Sequence, residues 1–283
     1  MEEPKIGIIG MGVVGNAMYG GMKLFWKDIV GYDIDPNKGM QDNFNKIIKT
    51  DIVFLCLPTI PEKETNKMVL TPLLDTIKKL SDENYKGIIV IKSSLLPLTT
   101  EHLAMENPNL KIVHSPEFLR EKTATEDIIN ERDIVIGLPD GVYDDKQLDY
   151  LIDFFKEFYK RKVYTEVFIT NSTSSEFAKL MKNAFFATKV VFANEMNELA
   201  DAYTACYGDV LDILYLDNRI GRDHLAINEE KAYGGMCLPK DVKMFLADHK
   251  YHLKKESPLL TLVDKQNWKK IKLSDTIDSS DKI

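Results

Sequence analysis

The chain has 283 residues, 44% of them hydrophobic, and carries 44 acidic against 37 basic side chains, a formal net charge of −7. This length allows a sizeable buried core and predicts about two domains. The acidic balance argues against a nucleic-acid or anionic-membrane partner, because the overall field repels polyanions.

The first half of the chain alternates short apolar runs with helix-like stretches, as βα units do. Strands rich in Val and Ile are predicted at residues 5–9, 28–32, 51–57, 87–92, 111–114 and 133–137. Such runs are typical of parallel strands that are covered on both faces. The apolar spacing also predicts a helix over residues 64–80. We therefore expect a doubly wound α/β sheet over residues 1–170.

The glycine pattern after the first strand indicates a dinucleotide site. Gly10, Gly12 and Gly15 form a G-x-G-x-x-G element between a strand and a helix-like stretch. The first glycine permits a tight turn, the second a close approach of the backbone to a pyrophosphate, and the third close helix packing. By itself the triplet is weak evidence, but with this flanking pattern it predicts a Rossmann domain.

An acidic residue at the end of the second strand indicates which cofactor is bound. Asp33 lies near the expected interval of roughly 20 residues after the glycines, where a carboxylate accepts hydrogen bonds from the ribose and repels a 2′-phosphate. This favours NAD over NADP. Asp35 lies in an evident turn and is the second choice. The residues predicted to bind NAD are Gly10, Gly12, Val13, Val14, Gly15, Asp33 and Lys38.

The second half of the chain reads as helical. Residues 171–176 resemble a helix start with a capping hydroxyl and an early acidic residue, and residues 177–203 contain no Gly or Pro. One long helix with a broad apolar face is predicted, followed by further helices that an irregular segment at 219–239 interrupts. We expect an all-α domain over residues 171–270 and a disordered tail at 271–283.

Two downstream segments carry candidate charged groups. In residues 115–121, Glu117 and Glu121 are four apart, so a helical turn would place both carboxylates on one face. Without further context, a solvated helix start with acidic residues in its first turn is the preferred explanation. On the long helix, Lys179 and Asn183 share a face that also carries apolar residues, although a lysine there can also extend its charge to the solvent.

A third segment surrounds a cysteine. Cys237 follows two glycines, which allow close approach of a substrate, and precedes Lys240 and Asp241. A nearby lysine favours the thiolate form that acts as a nucleophile. The alternative is that Cys237 is a small buried apolar residue. The other cysteines, Cys56 and Cys206, complete neither a disulfide framework nor a zinc pattern, which favours a reducing compartment and no metal site.

Four segments occur in the order found in one known family: G-x-G-x-V-G, P-E-F-L-R-E, E-x-x-K-L-x-x-N and G-G-x-C-L-P-K-D. Over residues 5–267 the chain resembles the UDP-glucose/GDP-mannose dehydrogenases. The resemblance implies that a primary alcohol of a nucleotide sugar is oxidised twice, to a uronic acid for a surface polysaccharide or glycan, while two NAD are reduced. The likeness to UDP-glucose 6-dehydrogenases makes UDP-glucose the expected substrate.

The resemblance also implies roles for individual residues. Lys179 and Asn183 would stabilise the developing alkoxide. Asp241 would assist proton removal through a water, and Cys237 would add to the aldehyde as a thiohemiacetal. The remaining implied site residues are Glu117 and Glu121 for thioester hydrolysis, Ser94 where the family usually has a Thr that orders the hydrolytic water, and Phe118, Leu119, Arg120, Arg219 and Gly234 for substrate contacts.

Departures from the family keep alternatives open. Residues 226–232 lack the usual Pro-Gly-rich form, and the family normally continues into a third domain that helps to clamp the nucleotide. The alternatives are a non-catalytic, partner-dependent NAD-binding subunit and a single-oxidation β-hydroxyacid dehydrogenase, a class that has no use for Cys237. The resemblance further implies a homodimer through the long helix. No signal-peptide pattern and no apolar run of roughly 20 residues is found, so we expect a cytoplasmic protein.

Overall fold

A computed structural model describes most of the chain, and its residues form two compact units. The first unit comprises Met1–Ile60 and Met68–Lys179, and the second comprises Pro61–Lys67 and Leu180–Ile283. The described residues are 3–38, 44–162, 165–228, 230–235 and 237–280, without the side chains of Glu121 and of residues 272–280.

The strands are β1 (Ile6–Ile9), β2 (Ile29–Tyr32), β3 (Ile52–Leu55), β4 (Ile60–Pro61), β5 (Met68–Val69), β6 (Ile88–Ile91), β7 (Lys111–His114), β8 (Asp133–Leu138) and β9 (Glu166–Asn171). The helices are α1 (Val13–Met22), α2 (Phe44–Ile47), α3 (Thr71–Asp82), α4 (Thr99–Glu106), α5 (Ala124–Asn130), α6 (Asp145–Tyr159), α7 (Ser172–Ala202), α8 (Tyr207–Leu214), α9 (Leu238–Leu253) and α10 (Pro258–Ser280).

The first unit is built on a seven-stranded sheet with the order β2-β1-β3-β6-β7-β8-β9. All neighbouring strands are parallel except β7 and β8, which are antiparallel. Strand β2 lies on one side of β1 and β3 on the other, so the order in which strands are added to the sheet switches from one side of β1 to the other. The crevice beyond the carboxyl end of such a switch point is where α/β sheets bind ligands.

Apolar residues cover both faces of this sheet. Along β3, Ile52 and Phe54 pack into one buried cluster while Val53 and Leu55 pack into another, as the alternation of a strand requires. Burial on both faces explains why these strands are continuous apolar runs. The predicted doubly wound sheet followed by helices is confirmed.

One helix start was predicted wrongly and one strand was missed. Helix α3 begins at Thr71 rather than at residue 64, because Pro72 occupies its first turn and Met68–Val69 pairs instead as strand β5. Strand β9 was not predicted. It lies at the sheet edge with Phe168 65% exposed, and polar residues flank its apolar run Val167–Ile169.

The long helix is confirmed as α7, but its start differs in detail. The amide oxygen of Asn171, and not a hydroxyl, accepts the N–H of Ser174 at 2.7 Å. The two units divide inside α7 at Lys179 rather than at the expected residue 170. The first turns belong with the sheet because Ser175 packs against Gly137, where an added Cβ would lie 2.7 Å from the Ser175 Cβ.

The second unit is helical, with an irregular segment between α8 and α9 as predicted. Its two small apolar clusters are centred on Val191, Tyr233 and Val263 and on Ala193 and Leu211. Helix α10 continues to Ser280, which contradicts the expected tail for residues 271–280, since no Gly or Pro ends the helix there. Residues 281–283 lie outside the described residues. In the described part of the chain, no helix combines the length and apolar character needed to cross a bilayer.

Candidate active site

The glycine loop after β1 has the geometry that a bound pyrophosphate needs. Gly10 has a φ of +91°, and an added Cβ would lie 2.4 Å from the carbonyl oxygen of Cys56. At Gly15 an added Cβ would lie 1.9 Å from the Gly10 carbonyl oxygen, so only glycine permits this approach of α1. At Gly12 an added Cβ would meet no atom within 4 Å, which leaves open space beside the loop.

Asp33 is tied to this loop by its side chain. The carboxylate is 6% exposed and accepts the Met11 N–H at 2.6 Å on Oδ2 and the Asp35 N–H at 2.8 Å on Oδ1. Lys38 Nζ lies 3.7 Å from Asp33 Oδ2. Asp35 instead accepts the Asn37 N–H within its own turn. The structure therefore places Asp33, and not Asp35, beside the glycine loop, where it fits the ribose of a dinucleotide.

Val13 and Val14 form the first turn of α1, next to a cavity. Val13 is 43% exposed and lines a cavity of about 330 Å³ together with Asn16, Ala17 and residues 122–126. The free N–H groups at the start of α1 and the open space at Gly12 fit a dinucleotide phosphate.

A buried ion pair joins the segment after β7 to α7. Lys179 Nζ donates to Glu117 Oε1 at 2.9 Å and to the Glu117 carbonyl oxygen at 2.6 Å, and both residues are less than 10% exposed. Burial raises the pKa of the Glu117 carboxyl, but the Lys179 ammonium and the Leu119 N–H outweigh burial and hold the pKa below its ordinary value. Glu117 is therefore ionised at neutral pH.

The neighbours of Glu117 do not form the expected helical turn. The Leu119 N–H bonds to Glu117 Oε2 at 2.8 Å, and helical structure begins only at Glu121, as a short 3₁₀ turn. The prediction that Glu117 and Glu121 share a helix face is therefore wrong. The side chain of Glu121 lies outside the described residues.

Two further predicted substrate contacts lie beside this segment. The Phe118 ring centroid lies 5.7 Å from Lys179 Nζ. Arg120 forms an ion pair with Asp127 at 2.6 Å, and its side chain is 70% exposed.

Sequence reasoning missed three buried polar groups in the first unit. Lys92 Nζ donates to Ser115 Oγ at 3.2 Å and to the Pro116 carbonyl at 3.3 Å, and burial lowers its pKa. Ser94, two residues later, is half-buried and its carbonyl accepts the Thr59 hydroxyl at 2.8 Å. The sequence alone does not show that the charged side chain of Lys92 is buried, so this group could not be predicted.

The other two missed groups hold the start of α7. Glu176 is fully buried, and its Oε1 accepts the Thr100 N–H at 2.8 Å and the Thr100 hydroxyl at 2.6 Å. Burial raises the pKa of Glu176 to about 7, against the effect of these hydrogen bonds. His114 Nδ1 lies 2.5 Å from Ser175 Oγ, and burial lowers the His114 pKa to about 3, so the imidazole is neutral.

The second unit contains the cysteine and its neighbours. Cys237 is exposed and immediately precedes α9, and its carbonyl accepts the Asp241 N–H at 2.9 Å. Asp241 is fully buried, and its Oδ2 accepts Asn183 Nδ2 at 2.6 Å. Lys240 Nζ donates to Asp241 Oδ1 at 2.6 Å, so its charge is directed at the carboxylate. An amide, a carboxylate and an ammonium thus form one network a helical turn from the thiol.

The remaining predicted contacts of the second unit are at the surface. Gly234 is exposed, and Arg219 is exposed and paired with Asp217 at 2.5 Å. Lys179 and Asn183 are four residues apart on the continuous helix α7. Among the described residues, no group of three or more His, Cys, Asp or Glu side chains has an arrangement that suits a metal ion.

Comparison with known proteins gives concordant matches along the chain. The sequence models of the UDP-glucose/GDP-mannose dehydrogenase family match residues 37–161 (NAD binding domain) and 173–269 (central domain). A UDP-glucose 6-dehydrogenase of Rickettsia prowazekii is 32% identical over 210 residues, which represent 70% of this chain and 45% of that protein. The chain thus spans less than half the length of this relative.

Solved structures share the fold. A UDP-glucose dehydrogenase of Pyrobaculum islandicum superposes with a TM-score of 0.78 at 24% identity and covers 94% of this chain and 68% of its own. A UDP-D-ManNAc dehydrogenase of Pyrococcus horikoshii gives a TM-score of 0.72 at 20% identity, with coverage of 94% and 68%. These two proteins are named for different sugars.

Proposed function

Because this chain belongs to the UDP-glucose/GDP-mannose dehydrogenase family, whose N-terminal domain binds NAD, we propose that it oxidises the primary alcohol of a nucleotide sugar to a carboxylate. UDP-glucose is the substrate we propose, and UDP-glucuronate the product. The observation that carries this proposal is the exposed Cys237 thiol, one helical turn from the buried Asn183–Asp241 pair. A thiol adduct gives the aldehyde carbon a hydroxyl, so that it can donate the second hydride.

NAD, when bound, accepts one hydride in each of the two oxidations. Asp241 takes the hydroxyl proton through a water in the first oxidation, while Lys179 and Asn183 stabilise the negative charge on the sugar oxygen. The Cys237 sulfur then adds to the aldehyde carbon and forms a thiohemiacetal. Loss of the second hydride and of the hydroxyl proton leaves a thioester on the sulfur.

Water finally cleaves the carbon–sulfur bond, which yields the carboxylate and returns the thiol. Glu117 accepts the proton of this water, a role that requires an ionised carboxylate, and the lowered pKa of Glu117 provides it at neutral pH. Ser94 orders the water in this scheme.

The test is to count NADH formed per sugar across a panel of nucleotide sugars. Two NADH from UDP-glucose support the proposal. One NADH per sugar indicates a single-oxidation alcohol dehydrogenase, and none with any sugar, together with NAD binding, indicates a non-catalytic subunit.

Cys237→Ser isolates the covalent step, and the chain offers a matched control. We expect the variant to stall after one NADH, at the aldehyde or its hemiacetal. Cys206 is also exposed and also precedes a helix, so Cys206→Ser should retain two NADH per sugar. Unchanged turnover of Cys237→Ser would remove the thiol from the mechanism.

We also propose a homodimer through α7. Four apolar side chains of this helix in the second unit are exposed: Met181, Phe185, Phe192 and Leu199. Together with the exposed Tyr203, directly after the helix, they recur at intervals of four or seven residues. Such a stripe is the pattern of a helix face that packs against a partner. Sedimentation should give a dimer at micromolar concentration, a monomer for Phe185→Glu, and a dimer for the control Phe185→Leu. A wild-type monomer would refute the dimer.

A further inference from the structure

The described residues of the segment that leads to Cys237 form neither helix nor strand, and asparagine side chains bind their backbone. Asn194 Nδ2, on α7, donates to the Lys231 carbonyl at 2.6 Å. Asn228 Nδ2 donates to the Ala232 carbonyl at 2.6 Å, and Asn228 Oδ1 accepts the Ala232 N–H at 3.1 Å. Buried backbone N–H and C=O groups outside helices and sheets need side chains or water as hydrogen-bond partners.

Asn267 of α10 makes the next pair of bonds along this segment. Its Oδ1 accepts the Tyr233 N–H at 2.7 Å, and its Nδ2 donates to the Tyr233 carbonyl at 3.0 Å. Asn267 is 1% exposed and Tyr233 is 2% exposed, so water does not compete for these bonds. Two bonds to one residue fix both the position and the rotation of its backbone.

Two glycines follow Tyr233 on the way to the thiol. Gly234 and Gly235 are exposed, Gly235 has a φ of +72°, and an added Cβ at Gly234 would meet its nearest atom only at 3.9 Å. Packing therefore restricts these glycines little. On the other side, the Cys237 carbonyl is held by the Asp241 N–H. The backbone is thus held at Tyr233 before the two glycines and at Cys237 by the first turn of α9.

We propose that Asn267 is a positioning residue for Cys237. Its amide holds Tyr233 so that the two glycines bring the sulfur to the aldehyde carbon in the second oxidation. This inference rests on the proposed function. Displacement of a reacting group by about 1 Å reduces a rate by up to about a hundredfold, so the loss of this anchor slows the step that uses the thiol.

The first test separates the two oxidations in Asn267→Ala. With the 6-aldehyde of the nucleotide sugar as substrate, kcat should fall by about tenfold while KM stays within about twofold of wild type. Oxidation of the alcohol should fall by less than about twofold, because that step does not use the thiol. Asn197→Ala is the control, since Asn197 lies on α7 and bonds only to Asp201 among the contacts seen, at 3.3 Å.

A double variant decides between positioning and general destabilisation. In a Cys237→Ser background, Asn267→Ala should leave alcohol oxidation unchanged, because the residue it acts through is already removed. If Asn267→Ala slows both oxidations equally, or still slows the first one in that background, the positioning role is wrong. If the alanine variant does not fold, Asn267→Ser, which keeps a polar side chain there without burying a charge, replaces it, with an expected loss of about threefold in kcat on the aldehyde.

Alkylation tests the same inference without any turnover. At pH 7, iodoacetamide should modify Cys237 about threefold more slowly in Asn267→Ala, because a displaced thiol loses the stabilisation that a helix N-terminus gives a thiolate. Cys206 serves as the internal reference in the same sample. An unchanged Cys237 rate would overturn the positioning role. Absence of NADH from the wild-type protein with every sugar would overturn the proposed function instead.

Discussion

The buried pair Glu117–Lys179 gives the most specific prediction about the first unit. Removal of one partner from a buried ion pair destabilises a protein by about 3–5 kcal/mol, because the other charge stays buried and unpaired. In Glu117→Gln, Lys179 keeps the backbone carbonyl of residue 117, which it contacts at 2.6 Å. We therefore expect the lower end of that range, about 3 kcal/mol.

The double variant Glu117→Gln/Lys179→Met tests the cause of this loss. It leaves no unpaired charge, so its free energy of unfolding should lie closer to wild type than that of Lys179→Met alone. Urea unfolding followed by fluorescence measures the difference. The chain has two tryptophans, and Trp268→Phe removes the one in the second unit, so that the signal reports Trp26, which is buried in the first unit.

The pH dependence supplies an independent check. The folded-state pKa of Glu117 lies below its ordinary value of 4.5, so the carboxylate adds stability above that pH, and this contribution is lost as the pH falls through the lowered pKa. The difference in free energy of unfolding between wild type and Glu117→Gln should be constant from pH 6 to 8 and should become smaller in acid. A double variant whose loss equals the sum of the single losses, or a gap that grows in acid, would refute the reasoning.

Three further predictions concern the first unit. Since burial raises the pKa of Glu176 to about 7, the wild-type unit should lose up to about 3 kcal/mol of stability as the pH rises from about 4.5 to 7. In urea titrations, the stability of Glu176→Gln should not show this pH dependence. An equal pH dependence in the variant would contradict the raised pKa of Glu176. Gly12→Ala should keep the wild-type Tm but weaken NAD binding at least about tenfold in calorimetry, whereas Gly15→Ala should also lower the Tm because its Cβ meets the Gly10 carbonyl. Asp33→Ser should narrow the preference for NAD over NADP in binding titrations, and an unchanged ratio would argue against its role at the ribose.

Much of the fold follows from local patterns in the sequence. Inner strands are continuous apolar runs because both of their faces are buried, and α7 is a long stretch without Gly or Pro. The patterns fail where one face of a strand is open to solvent, as in β9 with its exposed Phe168. They also fail where a single residue determines a helix start, as Pro72 does in the first turn of α3.

The sequence predicted which residues form the candidate site better than it predicted which of them contact one another. The glycine loop, Asp33, Lys179 and Cys237 were singled out from spacing and flanking patterns. Glu121 was paired with Glu117 on a helical turn that does not form, because Glu117 turns its carboxylate toward Lys179 and the Leu119 N–H. Lys92 and Asn267 carry no local signal that distinguishes them from surface residues, and the signal at Glu176 was that of an acidic residue at a helix start, which does not reveal its burial.

The sequence alone determined most of the buried strands and the long helix, because these depend on patterns within short stretches of the chain, and it predicted a dinucleotide site at the glycine loop. The tertiary structure decided which polar side chains are buried together. Glu176 bonds to Thr100 across 76 positions, Lys179 to Glu117 across 62, and Asn267 to Tyr233 across 34. A buried donor or charge cannot bind water, so it must bind another protein group. Which group is near enough depends on how distant segments pack, and this is not encoded locally.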